Sequence, residues 1–582
     1  VPLRYAFDLE ADALLDDVTT IHCLAAVNLD DRSEVLVAHD QASVVGLCRY
    51  LATCDLLVGH NVIGYDIPAI EKVLGIEIDQ SIVRDTLMVA RLVHPNVGRD
   101  DADRARIPTR LRGSHSLEAW GHRLGTHKTE YNGGWETYND TMMSYCVDDV
   151  LATVALWDHV IRKAPTPLSM EIEHKTAWII EQQSRNGVLF DEPSAWKLYD
   201  VLVAERTAID ESLDDLFPPR TVVARKFVPK RDNKTRGYKA GVEVTVTKTE
   251  VFNPGSRQQI ASRLIDKYKW KPTELTDTGQ VKVDEDVLEG LGYPEAQVLA
   301  RRMMLAKRIG QLVEGNKSWI KYLGSDGRIH GRLNTNGAVT GRMTHFSPNM
   351  SQVPAPRKAF GTEMRSLFCV GLGRKMVGTD ASGLELRMLA HYLTPHDGGA
   401  YAAQVLEGDI HSHNQKAAGL TSRDNAKTFI YAFLYGAGDA KIGSIVGEGA
   451  KAGRALKTRF LDGIPGLKAL RDGVLEAARS RKCLRGLDGR TIPIRSPHSA
   501  LNTLLQSAGA LVMKQALIIL DRKIKDRGLD AMFVLNSHDE FQVDVVASEA
   551  EIVGKLAVTS IREAGVFFKL RIPLDGESKI GN

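Results

Sequence analysis

"RDNAKTFIYAFLYG", residues 423–436, spaces Arg423, Lys427, Tyr431 and Tyr435 four apart and closes on Gly436. On an α-helix each step of four turns about 400° and rises about 6 Å, so these side chains form one stripe of roughly 18 Å. Phe429, Ile430, Phe433 and Leu434 fall between them and supply apolar surface for packing the opposite side. The stripe is cationic at its N-terminal end and aromatic at its C-terminal end. A nucleoside triphosphate, anionic at one end and flat at the other, matches that polarity. Cations and tyrosines at this spacing also occur on plain solvated faces, so the reading depends on what else the chain carries.

Two sets of carboxylates accompany the stripe, one bracketing it in the sequence and one near the N-terminus. "MVGTDASGLELRML" places Asp380 at the end of an apolar strand, and "MFVLNSHDEFQVDVV" reads as a β-hairpin whose turn carries His538, Asp539 and Glu540. Two strand-borne aspartates suit a pair of Mg²⁺ ions about 4 Å apart, one activating a 3′-hydroxyl and one neutralising pyrophosphate. The second set is N-terminal. Asp8 and Glu10 in "YAFDLEAD" share one face of a strand, "HNVIGYD" adds Asp66, and "MMSYCVDDV" adds Tyr145 and Asp149 one helical turn apart. Like charges on one face repel unless cations lie between them, which again points to divalent metal. An acidic hairpin turn or a lone D-x-E is more often surface decoration; four carboxylates and a phenol within one domain-sized segment are a stronger signal.

The chain as a whole sets bounds. Its 582 residues exceed one core and imply several domains. A net charge of +2 announces no polyanionic partner, so any nucleic-acid surface has to be local. Six cysteines without C-x-x-C spacing read as reduced thiols rather than a disulfide framework or zinc site. No apolar run reads as spanning a bilayer: "AGALVMKQALIIL" is interrupted by Lys514 and Gln515 and reads as a buried amphipathic helix. The N-terminus, "VPLRYAFDLEADALL", does not read as a signal peptide, and no membrane is expected.

Along the chain, residues 1 to about 160 alternate short β-branched runs with helical patterns, an α/β segment closed by the linker "KAPTPLS" at 163–169. "EIEHKTAWIIEQQSRNG" reads as a helix ended by Gly187, and another spans about 194–216. "PPRTVVARKFVPKRDNKTRGYKAG" then carries eight cations against Asp232 alone and reads as an exposed loop, either solvated or contacting a nucleic-acid backbone. A basic helical segment follows at about 296–323.

The order of motifs is the most specific signal. "TGRMTHFSPNMSQVP", "DASGLELR", "GDIHSHNQ", "RDNAKTFIYAFLYGAG", "LNTLLQSAGAL" and "HDE" succeed one another as do the polymerase motifs of family A DNA polymerases. The N-terminal carboxylates resemble the tyrosine-bearing form of the DEDD 3′–5′ exonucleases. The resemblance covers essentially the whole chain, and within the family is greatest to replicative polymerases of short-tailed phages of the T-seven type.

It implies an α/β and α+β multidomain protein: an RNase H-like exonuclease domain at 1–163, a thumb at 164–325 with a basic loop at about 218–250, a palm at 326–393 and 500–582, and fingers at 394–499. Asp380, Asp539 and the Ala381 carbonyl would hold the polymerase metals, with Asp8, Glu10, Asp66 and Asp149 holding those of the exonuclease and Tyr145 orienting its water. Arg423, Lys427 and His411 would meet the dNTP phosphates, Lys427 also serving as proton donor to pyrophosphate. Tyr431 and Glu385 would exclude a 2′-hydroxyl, and Tyr435 would lie by the templating base. Arg342 and Gln506 resemble minor-groove readers of the new pair. His538 and Glu540 would contact the primer end or support the metal ligands.

Expected partners are primer–template DNA, dNTPs and a replicative helicase–primase, around a monomer in the bacterial host cytoplasm. The phage relative binds host thioredoxin through a long thumb insertion. The interval here, about 218–250, is much shorter, which argues against that partner. A single-subunit RNA polymerase, a dedicated exonuclease with an inert polymerase-like body, and a replisome scaffold are the alternatives. Glu385 and the exonuclease set speak against the first, both palm aspartates against the second, and two complete carboxylate sets against the third.

Overall fold

In the N-terminal sequence, Tyr5, Phe7 and Leu9 alternate with Ala6, Asp8 and Glu10, and a strand buried on both faces results. The computed structural model describes residues 2–102, 106–126, 131–276, 278–537 and 539–581. Arg4–Ala11 is the middle strand of a five-stranded sheet, ordered Val35–Ala38, Ile21–Asn28, Arg4–Ala11, Leu56–Gly59, Val83–Asp85. The first pairings are antiparallel and the last two parallel. Tyr5, Phe7 and Leu9 pack with Leu24 and Ala26 on one face. Ala6 packs on the other with Cys23, Ala25, Cys146 and Val150. Because side chains alternate with period two, Asp8 and Glu10 share the face of Ala6, the one covered by the helix Asp140–Ile161.

The chain divides into two compact units, Val1–Val188 with His330–Ser351 and Val370–Asn582, and Leu189–Ile329 with Gln352–Cys369. In the first unit a second sheet, antiparallel throughout, is ordered Ala531–Ser537, Glu540–Val546, Arg374–Ala381, Gly576–Gly581. The helices Ala500–Asp526 and Ala550–Phe567 pack on each other, and the latter lies against this sheet.

The long helix is buried, as its sequence leads one to expect. Pro497–Asp526 contains an 18-residue stretch apolar enough to cross a membrane by composition, and 83% of that stretch is buried inside the protein. Its Lys514 is compatible with a core because Glu173 neutralises it at 2.6 Å. The linker is shorter than expected. Thr166 caps a helix that starts at Pro167, where a missing N–H costs nothing, and runs to Asn186 before Gly187.

In the second unit the helices Glu192–Leu216 and Pro294–Ile309 pack together. The stretch expected as a loop is a two-stranded hairpin, Arg220–Phe227 against Val244–Glu250. The β-branched run "VTVT" and its partner "TVV" supply strand propensity that the dense charge obscures in the sequence.

Candidate active sites

The Asp380 strand and the Glu540 strand meet at their ends. Asp380 lies opposite Glu540, and the Ala381 N–H donates to the Asp539 carbonyl at 3.0 Å. The hairpin turn therefore sets Asp539 beside Asp380 and Ala381, with Asp380 exposed and Asp539 half-buried. Glu540 is the first residue of its strand rather than part of the turn. His538 lies outside the described residues. After Ala381 the chain turns sharply into the helix Leu384–Asp397, through Gly383 at φ +59. A side chain in that left-handed conformation costs about 1–2 kcal/mol, which explains glycine between Asp380 and Glu385.

The stripe helix runs Arg423–Leu434 from the cap Ser422, and Tyr435 is its C-cap residue, before Gly436 at φ +74. Phe429, Ile430 and Leu434 are buried, and Phe433 stacks on Phe429 and meets Phe460 edge-on. That anchored face leaves Arg423, Lys427, Tyr431 and Tyr435 on the other. The Tyr431 and Tyr435 rings stack with centroids 6.4 Å apart. Burial raises the Tyr431 phenol first, with the charges of Glu385 and Asp539 adding to it, so the ring sits within electrostatic reach of both carboxylates. Tyr435 donates to Glu385 at 3.0 Å, and Arg342 Nη2 lies 3.4 Å from the same Glu385 oxygen.

His411, on the helix Ile410–Ala418, has its ring 6.5 Å from that of Tyr431. Burial, then the charges of Arg423 and Lys427, lower its pKa, which places it beside both cations. Its Nδ1 is buried without a protein partner among the described residues, as expected of a group turned toward a ligand. Sequence reasoning passed over Asp409, which caps this helix and takes the Arg423 guanidinium at 2.7 and 3.0 Å. Its signal was present in "GDIHSHN", where an aspartate directly precedes a helix. Arg423 holds Asp409 well below the usual carboxylate range. Such an exposed ion pair is screened by solvent and contributes little, so phosphate oxygens can compete for the arginine.

Arg342 follows Gly341, at φ +78, in a turn closed by Gly341 N–H to the Ala338 carbonyl at 2.8 Å. A Cβ on Gly341 would stand 2.9 Å from Arg490 Nη1, so the turn rests on that guanidinium. Gln506 is half-buried on the long helix, one turn before Gly509, whose close approach to Leu384 seats that helix against the start of the Glu385 helix.

In the N-terminal sheet, Glu10 pairs in register with Cys23, and the Cys146 thiol donates to the Asp8 carbonyl at 3.3 Å. The Asp8 and Glu10 carboxylate oxygens and the Cys146 sulfur all lie within 4.8 Å of one another. Asp66 opens the helix Asp66–Leu74, close enough to the same strand for the Leu9 N–H to favour its carboxylate. Burial pushes its carboxyl up to about 7, with the charges of Asp85 and Asp149 adding to the rise. Asp149 is buried on the covering helix, and Tyr145, one turn earlier, has its ring among those of Tyr131 and Trp135. Asp8, Glu10, Asp66 and Asp149 thus lie on neighbouring elements, with Tyr145 one turn before Asp149 on the covering helix. Cys146 and Asp85 were not anticipated; Asp85 is structural, accepting the N–H groups of Asn61, Ile63 and Leu87.

Both clusters offer hard oxygen donors, the set that suits Mg²⁺. The buried Asp66, destabilised as an anion by burial and by neighbouring acids, is a group that a bound cation would stabilise.

Residues 231–582 match the model of the family described as DNA polymerase family A. The chain is 36% identical to the DNA-directed DNA polymerase of Escherichia phage T7, over 99% of this chain and 98% of that one. It is likewise 36% identical to that of Enterobacteria phage T3. The alignment to the T7 protein runs over 694 positions against a chain of 582, so that relative carries stretches this chain lacks. Among solved structures, the POL domain of Pol1 from M. smegmatis, in complex with DNA primer-template and dNTP, superposes with a TM-score of 0.76 at 19% identity, over all of this chain and 95% of that one.

Proposed function

The chain belongs to DNA polymerase family A and is by that membership a DNA-directed DNA polymerase; from this premise we propose that it is a phage replication enzyme that extends a primer 3′ end with dNTPs and proofreads with a separate 3′–5′ exonuclease site. The observation that carries the reading is the bond from Ala381 N–H to the Asp539 carbonyl. It fixes two aspartates at adjoining strand ends, with Asp539 within electrostatic reach of Tyr431 on the stripe helix.

Asp380, Asp539 and the Ala381 carbonyl would hold two Mg²⁺ ions, and Asp8, Glu10, Asp66 and Asp149 two more; bound there, the ions supply charge neutralisation at the reacting phosphate and activation of the attacking oxygen. The protein's own groups do the rest. Arg423, Lys427 and His411 bind the triphosphate and orient it for in-line attack, and Lys427 Nζ gives a proton to the departing pyrophosphate. The Tyr431 ring packs on sugar and base. With Glu385 it fills the space a 2′-hydroxyl needs, selecting deoxynucleotides. Tyr435 stands by the templating base. Arg342 and Gln506 donate to minor-groove acceptors that every correct pair presents alike, testing shape without reading sequence. His538 and Glu540 support the primer end. In the second site the Tyr145 hydroxyl orients the attacking water.

Extension of a labelled primer and degradation of a labelled single strand separate the two sites. Asp380→Asn or Asp539→Asn should abolish extension and leave degradation, and Asp8→Ala with Glu10→Ala should do the reverse. Loss of both activities in either folded variant would sink the two-site reading.

A further inference from the structure

We propose that the hairpin spanning residues 218–250 is a built-in grip for the sugar–phosphate backbone of duplex DNA, a role that rests on the polymerase reading and retains the enzyme on its primer–template. Charge is the first observation. The segment carries nine lysines and arginines against Asp232, Glu243 and Glu250, a net +6 in a chain of net +2, so the rest of the chain is net −4.

The acids do not cancel that charge. Glu250 is held by Arg220 at 2.9 Å, and Arg220 also pairs with Asp266 and donates to Ser262. Those contacts fasten the root of the hairpin. Glu243 pairs with Lys226 at 3.1 Å, and Asp232 accepts the Ala240 N–H at 2.7 Å. Arg225, Lys230, Arg231, Lys234, Arg236, Lys239 and Lys248 are left exposed, with no acidic partner among the described residues. The helix Pro294–Ile309 of the same unit shows the contrast: its Arg301 is matched by Glu205 and its Arg302 by Asp210.

The hairpin is also a formed object. It is a sheet of two strands, marginal by itself in water. Yet its far end is ordered by Tyr238 edge-on to Phe227 at 5.3 Å, by Arg225 over the Phe227 ring, and by paired bonds between Asn233 and Tyr238. Eight residues of strand carry that end about 25 Å from its root. The exposed apolar groups, Val223, Val228 and Val242, are small. They offer none of the aromatic anchors that dominate protein–protein contacts. Cations spread over a long, thin element with no apolar centre fit a regular row of phosphates.

The test compares the parent with two variants. One replaces Lys230, Arg231, Lys234, Arg236 and Lys239 by Gln, keeping Phe227, Tyr238 and Asp232. The other replaces residues 228–243 by Asn-Gly, a two-residue turn that suits the paired Phe227 and Val244. Affinity for a labelled primer–template is measured against salt, product length is measured under a heparin trap, and single-nucleotide addition is measured at saturating DNA. The salt slope should become shallower by about 4 in both variants, from about 0.9 per phosphate released. Trapped products should shorten several-fold, with single addition within about twofold of the parent. Unchanged slopes and product lengths in both variants would overturn the grip. So would parent products that lengthen only on addition of reduced thioredoxin, an effect lost in the variants, since the hairpin would then serve a protein. Absence of single addition in the parent would instead sink the polymerase reading, while the salt slope would still decide duplex binding.

Discussion

The Tyr435 hydroxyl donates to a Glu385 carboxylate oxygen at 3.0 Å, and that oxygen also lies 3.4 Å from Arg342. One carboxylate thus joins the helix after the Asp380 strand, the Gly341 turn and the end of the stripe helix. Burial, reinforced by the Glu385 charge, pushes the Tyr435 phenol up to about 12, so it is a protonated donor throughout the neutral range. Glu385→Gln keeps the acceptor and removes the charge; the Tyr435 phenol should then ionise at lower pH, read as the tyrosinate absorbance lost in a Tyr435→Phe control. Glu385→Ala opens the space assigned to the 2′-hydroxyl, and selection of dNTP over rNTP should fall by about 100-fold, the scale set by one small group in a pocket. Unchanged discrimination would place the sugar gate elsewhere.

Tyr431 supplies the next expectation. Its hydroxyl stands near Glu385 and Asp539, where a nucleotide lacking its 3′-hydroxyl leaves a polar gap that a second hydroxyl can fill. The enzyme should therefore accept dideoxynucleotides, and Tyr431→Phe should lower that acceptance at least tenfold, about 1.4 kcal/mol. Competition between ddNTP and dNTP in chain termination measures it. Strong rejection of ddNTPs by the parent would count against the role given to Tyr431.

The strand-end aspartates and the stripe were legible because each depends on local periodicity. Alternation put Asp8 with Glu10, and a step of four aligned Arg423 with Tyr435. What the sequence concealed depends on distant partners. Glu173 lies more than 300 positions from Asp488, Arg490 and Lys514, and the burial of all four as one charged group has no local signature. The hairpin was read as a loop because charge outweighed its β-branched alternation, which only cross-strand pairing reveals. Asp409 was hidden for a simpler reason: a cap is visible locally, whereas a cap that also clasps Arg423 is not.

That buried group is itself testable. Lys514 and Arg490 contact Glu173 at 2.6 and 2.7 Å, Arg490 contacts Asp488 at 2.7 Å, and all four residues are buried. Burial lowers Lys514 to about 8 against the opposing pull of Glu173. Removing one partner strands the others without water, so Glu173→Gln should cost about 3–5 kcal/mol. The loss should appear in urea unfolding of the transition that includes the long helix. Because the Gly341 turn rests on Arg490, the folded variant should also lose discrimination against mispairs more than it loses rate on correct pairs. A variant as stable and as accurate as the parent would show that the group neither supports the core nor positions Arg342.

His174 gives a prediction with a definite sign in pH. Its Nε2 accepts the Asp85 N–H at 2.8 Å and its Nδ1–H donates to the Met170 carbonyl at 2.7 Å, so the neutral ring satisfies both groups. Burial lowers its pKa to about 4, helped by the Arg84 charge and opposed by the Met170 bond and the Glu173 charge. In the unfolded chain the ring takes up its proton near pH 6.5, about 2.5 units earlier. The unfolded state therefore binds more protons between those values. The stabilisation is fully present above about pH 6.5 and is lost as pH falls toward 4. The whole difference is about 3 kcal/mol, of which about 2 kcal/mol is gone by pH 5. Urea midpoints of the parent and His174→Gln, measured at pH 8 and pH 5, isolate the effect. The variant should be less stable at pH 8 but lose less on acidification, because glutamine can bond both partners and cannot titrate. Equal losses in the two proteins would mean that His174 is not the group that resists protonation in the fold.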